Sequence, residues 1–251
     1  MSRFTGRTAI VTGASRGIGL AIAERLVVEG ARVVITARNK EALDEAVEFL
    51  GGPEHALGVA GKTDDQDHQD DVIRQALDIF GSVDLLVNNT GINPTYGPMV
   101  ELDLNTARKV VEVNCLAALS WVQKAHAAWL GEHGGAIVNV SSVSSVRPAP
   151  MIGWYGATKA MLNSMTELLA VELGPNIRVN GVAPAVVKTK FASALYEGRE
   201  EEARQAYPLK RLGVPDDIGS VVAFLLSDDA GWMTGQTLII DGGATLTAAG
   251  E

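Results

Sequence analysis

The stretch that most restricts the fold is a glycine-rich turn between a strand pattern and a helix pattern. Thr8-Ala-Ile-Val-Thr12 is apolar and β-branched, as expected of a buried strand. It enters Gly13-Ala-Ser-Arg-Gly17-Ile-Gly19, and the next residues place apolar side chains on one helical stripe. Such a turn lets the backbone approach a pyrophosphate held at a helix N-terminus. Although a glycine-rich turn can be only a tight connection, the agreement of strand, turn and helix favours a dinucleotide. The predicted cofactor contacts in the turn are Gly13, Ser15, Arg16, Gly17, Ile18 and Gly19.

Strand patterns alternate with helix patterns along all 251 residues. The strand patterns cover residues 8–12, 32–36, 56–60, 83–87, 136–142, 177–182 and 237–240. This alternation predicts an α/β fold, a doubly wound parallel sheet with helices on both faces. Because no repeat, linker or composition shift interrupts the chain, residues 1–251 are predicted to form a single domain. The charged, irregular segment 190–213 is predicted to be a substrate lid.

Composition excludes several functions. The net charge is −9 and no Lys/Arg cluster is visible, which argues against nucleic acid as a partner. Cys115 is the only cysteine, which excludes an internal disulfide and fits a reducing cytoplasm. We interpret it as a helix core residue. No apolar run approaches ~20 residues, and the first residues do not have a leader pattern, so no membrane contact and a cytoplasmic location are expected.

No metal site is predicted. The four histidines lack metal-ligand spacing. The acidic run 63–71 resembles a cation site, but it lacks the glycine of a calcium loop and precedes an apolar helix pattern. A helix cap with an acidic first turn is the better interpretation.

The second strand indicates which nicotinamide cofactor is used. An acidic residue near its end would hold the ribose hydroxyls of NAD. Here Ala37 and Arg38 stand at that point, and Arg16 lies in the glycine turn. Two guanidinium groups without a carboxylate suit a 2′-phosphate. We therefore predict that NADPH is preferred over NADH, the alternative being that both arginines are simply solvated.

A candidate acid–base pair follows the fifth strand. Tyr155 and Lys159 are four residues apart at the start of a helix pattern, so both lie on one helical face. A cation one turn away favours the phenolate and lowers the pKa of a phenol toward the working range. Ser142, thirteen positions upstream, could hold the oxygen that the tyrosine protonates. Taken alone, Tyr-x-x-x-Lys is a weak signal and is better explained as the solvated start of an amphipathic helix.

Two further stretches belong with this pair. Asn88-Asn89-Thr90-Gly91 ends the fourth strand, at the edge of a parallel sheet where ligands gather. Asn114 lies within a long helix pattern, from about residue 104 to 130. A buried amide in a helix is unfavourable unless it is paired, which suggests a functional role.

Together these motifs resemble those of the short-chain dehydrogenase/reductase family over nearly the whole chain. The resemblance rests on Thr12-Gly13-x-x-x-Gly17-Ile-Gly19, Asn88-Asn89-x-Gly91, Asn114, Ser142, Tyr155-x-x-x-Lys159 and the Pro184 segment. It implies a Rossmann-like single domain with seven strands and NAD(P)-dependent hydride transfer. Tyr155 would be the acid–base, and Ser142 would polarise the substrate oxygen. Lys159 would bind the nicotinamide ribose and lower the pKa of the tyrosine, and Asn114 would position a water in a proton relay.

The resemblance also extends the list of expected contacts. Asn89, Gly91, Pro184, Val187 and Thr189 would contact the cofactor, with the Val187 backbone and Thr189 at the carboxamide. The substrate pocket is expected to include Ile92, Asn93, Arg147 and Trp154. Members of the family are commonly tetramers or dimers built through two long helices and the last strand, so a homotetramer or homodimer is expected.

The chain departs from the family pattern at three places. Thr90 replaces an alanine, and Ala185 replaces the glycine after Pro184. Gly61 and Lys62 stand where an Asp-Val pair usually touches the adenine, which puts that contact in doubt.

Within the family, the chain is most similar to bacterial 3-oxoacyl-[acyl-carrier-protein] reductases. The predicted function is NADPH-dependent reduction of a small ketone, such as a β-keto acyl compound, to a secondary alcohol. The alternatives are a non-catalytic nucleotide-binding or sensor protein, and an epimerase or dehydratase on the same fold.

Overall fold

A computed structural model describes residues 2–247. The seven strands form one parallel sheet in the order β3-β2-β1-β4-β5-β6-β7. The strands are β1 Thr8–Thr12, β2 Arg32–Ala37, β3 Ala56–Ala60, β4 Leu85–Asn88, β5 Gly135–Val140, β6 Ile177–Pro184 and β7 Thr237–Ile240. The predicted doubly wound α/β fold is confirmed. Between β1 and β4 the strand order reverses, and at such a point the carboxyl ends of the strands open a crevice.

Helices cover both faces of the sheet. They are α1 Gly17–Val28, α2 Lys40–Phe49, α3 Gln66–Phe80, α4 Leu104–Val111, α5 Ala117–Ala125, α6 Gly131–His133, α7 Gly153–Leu173, α8 Glu200–Ala203 and α9 Pro215–Leu226. α1, α2 and α9 bury their apolar side chains with one face of the strands. α3, α5 and α7 pack on the other face. Along β1, Ile10 packs on the face covered by α3, α5 and α7, while Ala9 and Val11 pack on the face covered by α1, α2 and α9. This alternation is the two-residue period of a strand.

Local signals account for most element ends. Asn39 caps α2 by accepting from Ala42 N, and Asp65 caps α3 by accepting from Asp67 N and His68 N. The cap interpretation of the acidic run 63–71 is therefore confirmed, and no group of side chains that could hold a metal occurs within residues 2–247. The cap of α9 comes from within its own first turn. Asp216 lies inside that turn, and Asp217 reaches back to accept from Val214 N at 2.8 Å.

The long helix pattern forms a continuous helical segment that contains two wider turns. Residues 112–116 and 126–130 form π-helical turns between α4, α5 and α6. Asn114 and Cys115 lie in the first of these and are buried, which confirms Cys115 as a core residue. Burial raises the pKa of the Cys115 thiol to about 11. Single π turns inside α-helices are often found at functional sites.

The segment 190–213 consists of short helical turns and loops. Its base is closed by a parallel bridge between Val187 and Gly213, with Lys188 N donating to Gly213 O at 2.9 Å. Tyr196 Oη donates to Thr189 O at 3.3 Å across the same end. Within residues 2–247, no helix is both long and apolar enough to cross a membrane.

Candidate active site

The glycine turn interlocks with the loop after β4. Asn89 Nδ2 donates to Thr12 O at 2.8 Å and to Gly13 O at 3.1 Å. Thr12 Oγ1 accepts from the backbone N of both Asn89 and Thr90, at 3.0 and 3.1 Å. A Cβ on Gly19 would stand 2.5 Å from Asn89 Nδ2 and 2.6 Å from Gly13 O, so only glycine fits there. Asn89 therefore stabilises the glycine turn through hydrogen bonds to its backbone.

The same turn has the glycine backbone conformations that a phosphate cradle at a helix N-terminus uses. Gly13 and Gly17 have φ of +66° and +59°, a conformation that favours glycine. A Cβ on Gly17 would lie 3.2 Å from Thr189 Cγ2, which places the loop after β6 over the turn. Thr90, where the family has alanine, directs its Oγ1 to 2.9 Å from the position of a Cβ on Gly13. The residues present therefore fit a dinucleotide cradle.

The arginines predicted to select NADPH are both exposed. Arg16 is in the turn before α1, and Arg38 directly follows β2. Within residues 2–247 neither guanidinium forms an ion pair. Both charges are thus available to an anionic ligand.

α7 brings the catalytic candidates together. Tyr155 and Lys159 lie in its first two turns, and Lys159 Nζ is 5.7 Å from the centroid of the Tyr155 ring. Ser142 follows β5, and its hydroxyl lies near enough to the Tyr155 side chain to favour a lower pKa of the phenol. Ser142 Oγ also accepts from Ser144 N at 3.2 Å and from Ser144 Oγ at 2.9 Å. Ser144 was not predicted; its position two residues after Ser142 is a serine-turn signal that could have shown it.

The protonation of the tyrosine differs from our prediction. Burial raises the pKa of Tyr155 to about 12, and the Ser142 side chain opposes this rise. The Lys159 ammonium donates to Val140 O at 2.8 Å and not to the phenol. Tyr155 is therefore a protonated phenol at neutral pH, which suits an acid.

The ammonium of Lys159 is buried, which is unfavourable for a cation. Lys159 is 2% exposed, and burial lowers the pKa of its ammonium from 10.5 to about 8. A Cβ on Gly91 would lie 3.2 Å from Nζ, so this glycine lets the loop after β4 cover the ammonium. Burying a cation with so few partners lowers the stability of the fold.

Lys159→Met is therefore expected to stabilise the protein at pH 7. Since the folded-state pKa lies below the unfolded one, the wild-type penalty is complete below about pH 8 and disappears as pH rises toward 10.5. The pKa shift corresponds to roughly 3 kcal/mol, and the lost hydrogen bond to Val140 offsets about 1 kcal/mol of it. The free energy of unfolding should therefore increase by about 2 kcal/mol.

Urea unfolding at pH 7 and pH 10 measures this difference. The control is Lys124→Met, which removes a lysine paired with Asp70 at the surface. Equal or lower stability of Lys159→Met at pH 7 would contradict the expectation.

Asn114 is paired, as a buried amide must be. Its Oδ1 accepts from Ile92 N at 2.8 Å, and its Nδ2 donates to Ile92 O at 3.0 Å and to Thr158 Oγ1 at 3.1 Å. Thr158 Oγ1 in turn donates to Tyr155 O at 2.8 Å. Asn114 thereby ties the loop after β4 to the first turn of α7. Thr158 was missed, because nothing in its local sequence distinguishes it from other helical threonines.

Two predicted pocket residues point elsewhere. Arg147 Nη1 donates to Ala244 O at 2.8 Å, which directs its charge to the segment after β7. Trp154 Nε1 donates to Ala107 O at 3.0 Å, and its ring lines a groove against α4. The resemblance placed both in the pocket, but these hydrogen bonds hold their polar atoms at the segment after β7 and at α4. Ile92 and Asn93 lie on the loop that Asn114 holds beside the site.

Phe191 contributes an aromatic ring that sequence reasoning missed. It belongs to the segment 190–213, is 60% exposed, and its ring centroid is 6.2 Å from that of Tyr155. Phe191 is one of three aromatic residues in this charged, irregular segment, and no periodicity distinguishes it. It places this segment beside the catalytic candidates.

Comparison with known proteins agrees with this geometry. A family profile described as "Enoyl-(Acyl carrier protein) reductase" matches residues 13–245. A relative named "Dehydrogenase/reductase SDR family member 4" from Caenorhabditis elegans is 44% identical, with 96% of each chain covered. The chain is a short-chain dehydrogenase/reductase. Membership in this family makes it an NAD(P)-dependent oxidoreductase with a Rossmann-like fold.

Solved structures of the family extend the likeness. A short-chain dehydrogenase/reductase from Brucella melitensis, named as a glucose/ribitol dehydrogenase, superimposes with a TM-score of 0.91 at 36% identity, covering 96% of this chain and 98% of that one. A blue fluorescent protein from a metagenomic library, solved in complex with NADPH, gives a TM-score of 0.87 at 33% identity, covering 96% and 99%. These relatives do not confirm the predicted similarity to 3-oxoacyl-[acyl-carrier-protein] reductases within the family.

Proposed function

We propose that this short-chain dehydrogenase/reductase reduces a small ketone to a secondary alcohol with NADPH. The observation that carries the proposal is the convergence of a protonated phenol, a serine hydroxyl and a buried ammonium at one crevice, namely Tyr155, Ser142 and Lys159. A protein that only binds a nucleotide has no use for this set. When bound, the reduced nicotinamide supplies the hydride.

The side chains have separate tasks in this proposal. Ser142 holds and polarises the substrate oxygen, and the Tyr155 Oη proton moves to that oxygen as the alkoxide forms. Lys159 would bind the nicotinamide ribose and stabilise the phenolate that remains. Asn114 keeps the loop carrying Ile92 in place and would hold the water of a relay that returns a proton through Lys159.

We propose the cofactor contacts that the sequence predicts. The turn from Gly13 to Gly19 would receive the pyrophosphate, and Arg16 and Arg38 the 2′-phosphate. The loop after β6 would hold the carboxamide through Pro184, Val187 and Thr189. The relative solved with NADPH supports this choice of cofactor, since it shares the fold over nearly its whole length.

The substrate we favour is a free β-keto compound rather than one carried by an acyl-carrier protein. Such carriers are strongly acidic and need free cations at the pocket mouth. Near the site, Lys188 pairs with Glu200 and Arg211 pairs with Asp217. These ion pairs and the net charge of −9 weaken the attraction to an acidic carrier.

The test compares kcat/KM, from NADPH consumption at 340 nm, for one acetoacetyl group on a carrier protein and on a short thiol. Electrostatic steering of a docked carrier would raise its value by about 10- to 1000-fold at low salt. We expect the two substrates to agree within about threefold, with little dependence on salt. A large carrier advantage that fades with salt would refute this choice of substrate. Absence of turnover across a panel of ketones would refute the reductase itself, in favour of a binder or an epimerase.

The assembly we propose is a homotetramer or homodimer in the cytoplasm. Exposed apolar side chains on α7 and β7 support it: Leu168, Val171 and Ile239 are 60%, 83% and 46% exposed. Single chains rarely leave such side chains in water over neighbouring surfaces. Sedimentation equilibrium measures the assembly, and a monomer at micromolar concentration would contradict it.

A further inference from the structure

Ser144 contacts the Ser142 hydroxyl twice, through its backbone and through its side chain. Ser142 caps the short turn Val143–Ser145, with its Oγ accepting from Ser144 N at 3.2 Å. Ser144 Oγ lies 2.9 Å from the same oxygen, within the range of a hydrogen bond between hydroxyls. The position of the Ser142 oxygen is therefore set by one residue.

The turn that carries both serines is anchored to α7. Ser145 Oγ donates to Ser142 O at 2.6 Å, and Asn163 Nδ2 of α7 donates to Ser145 Oγ at 2.8 Å. A Cβ on Gly156 would stand 2.6 Å from Ser144 O, so only glycine lets the helix come this close. α7 also carries the phenol and the ammonium of the site. The Ser142 hydroxyl is thus held at a fixed place relative to them.

The bonding capacity of a hydroxyl then determines what Ser142 can offer to a ligand. A serine hydroxyl has two lone pairs and one proton. Ser144 N and Ser144 Oγ occupy the two lone pairs, which leaves the proton of Ser142 Oγ for the crevice. The Ser142 side chain opposes the rise in the pKa of Tyr155, which is the effect of a donor that faces the phenol. The proton therefore points to the side on which a ketone oxygen would be protonated.

We propose that Ser144 is a positioning residue, whose hydroxyl donates to Ser142 Oγ and so directs the Ser142 proton to the ketone oxygen. The inference rests on the proposed ketone reduction and adds to it. In the opposite arrangement, Ser142 would donate to Ser144 and present only a lone pair to the ketone, which would repel its oxygen. Hydrogen bonds in a chain also polarise one another, so donation by Ser144 strengthens the bond to the substrate.

The first test is Ser144→Ala, which removes the side-chain donor and keeps the backbone donor. We expect kcat/KM for ketone reduction to fall roughly three- to tenfold, the effect of losing one hydrogen bond. The loss should appear in single turnovers, while the dissociation constant of NADPH stays the same. Ser144→Thr retains a hydroxyl and should keep the wild-type rate, whereas Ser144→Cys, a weak donor, should not. The control is Ser220→Ala, which removes a hydroxyl of α9 that donates to Asp217 O.

A double-mutant cycle then separates positioning from a structural role. Ser142→Ala removes the hydroxyl on which Ser144 is proposed to act. In that background, Ser144→Ala should change kcat/KM by less than about twofold, because no proton remains to be directed. A residue that only supported the turn would give the same loss in both backgrounds. The substrate is ethyl acetoacetate, or another ketone of the panel if the wild type reduces that ketone faster.

The outcomes also separate this inference from the proposed function. If the wild type reduces no ketone, the proposed function is wrong and this inference falls with it. If the wild type reduces a ketone and Ser144→Ala is equally fast or faster, Ser144 does not direct the proton and the inference alone is overturned. Equal losses in the two backgrounds of the cycle overturn it as well. If Ser144→Ala does not fold, Ser144→Cys and Ser144→Thr provide the same comparison.

Discussion

Tyr155→Phe is expected to lower kcat for ketone reduction by about 10²–10⁴-fold, the usual worth of a general acid. The substitution removes only the phenol oxygen. The ring that lies 6.2 Å from Phe191 and 5.7 Å from Lys159 Nζ is kept. NADPH affinity should therefore stay nearly unchanged, and the loss should appear in the chemical step.

Single-turnover kinetics and a separate NADPH titration distinguish these two effects. Tyr96→Phe is the matched control, because Tyr96 is 71% exposed on the loop after β4. The pH profile gives a further check. Burial keeps the Tyr155 phenol protonated, with its pKa raised to about 12. The rate of reduction should therefore not increase when the pH is lowered below 7. The reverse oxidation needs the phenolate, so its rate should rise with pH. A Tyr155→Phe variant with wild-type turnover would remove Tyr155 from the mechanism.

The double change Ala37→Asp with Arg38→Ala is expected to reverse the cofactor preference from NADPH to NADH. It removes an exposed guanidinium that has no ion pair within residues 2–247, and it places a carboxylate at the end of β2. That carboxylate accepts from ribose hydroxyls and repels a 2′-phosphate. Charge-assisted contacts are worth roughly 1.5–3 kcal/mol, so the ratio of kcat/KM values should shift by at least about ten- to a hundredfold.

The measurement is kcat/KM for NADPH and NADH with one saturating ketone, for the wild type and the double variant. Arg108→Ala serves as the control, because Arg108 is an exposed arginine of α4 bonded to Asn105. The control should leave the ratio unchanged. A wild-type enzyme that already prefers NADH would show that Arg16 and Arg38 are only solvated.

Much of the site could be predicted from the local sequence, because its candidate residues are separated by only a few positions along the chain. The four-residue separation of Tyr155 and Lys159 places them in successive turns wherever that stretch is helical. The glycine turn is equally local, since the positive φ of Gly13 and Gly17 is a property of those residues. Asn114 was singled out because a buried amide must be paired, and the structure pairs it with Ile92 and Thr158.

The directions of the side chains and the protonation state of Tyr155 could not be predicted from the local sequence. Arg147 and Trp154 lie close to Tyr155 along the chain, yet their polar atoms bond to Ala244 and Ala107. The partners stand 97 and 47 residues away, and no local pattern identifies them. The pKa of Tyr155 likewise depends on how much water the assembled loops exclude, and on the Ser142 side chain that β5 brings beside it.

The sequence by itself determined the order of strands and helices, the glycine turn and the spacing of the catalytic candidates. Apolar periodicity and turn chemistry act over a few residues, so they are legible without the fold. Only the tertiary structure decided that Asn89 braces the turn, that Phe191 faces Tyr155 and that Asn163 of α7 bonds to Ser145. These contacts form between residues from separate elements, which meet only when parallel strands bring their carboxyl ends to one edge.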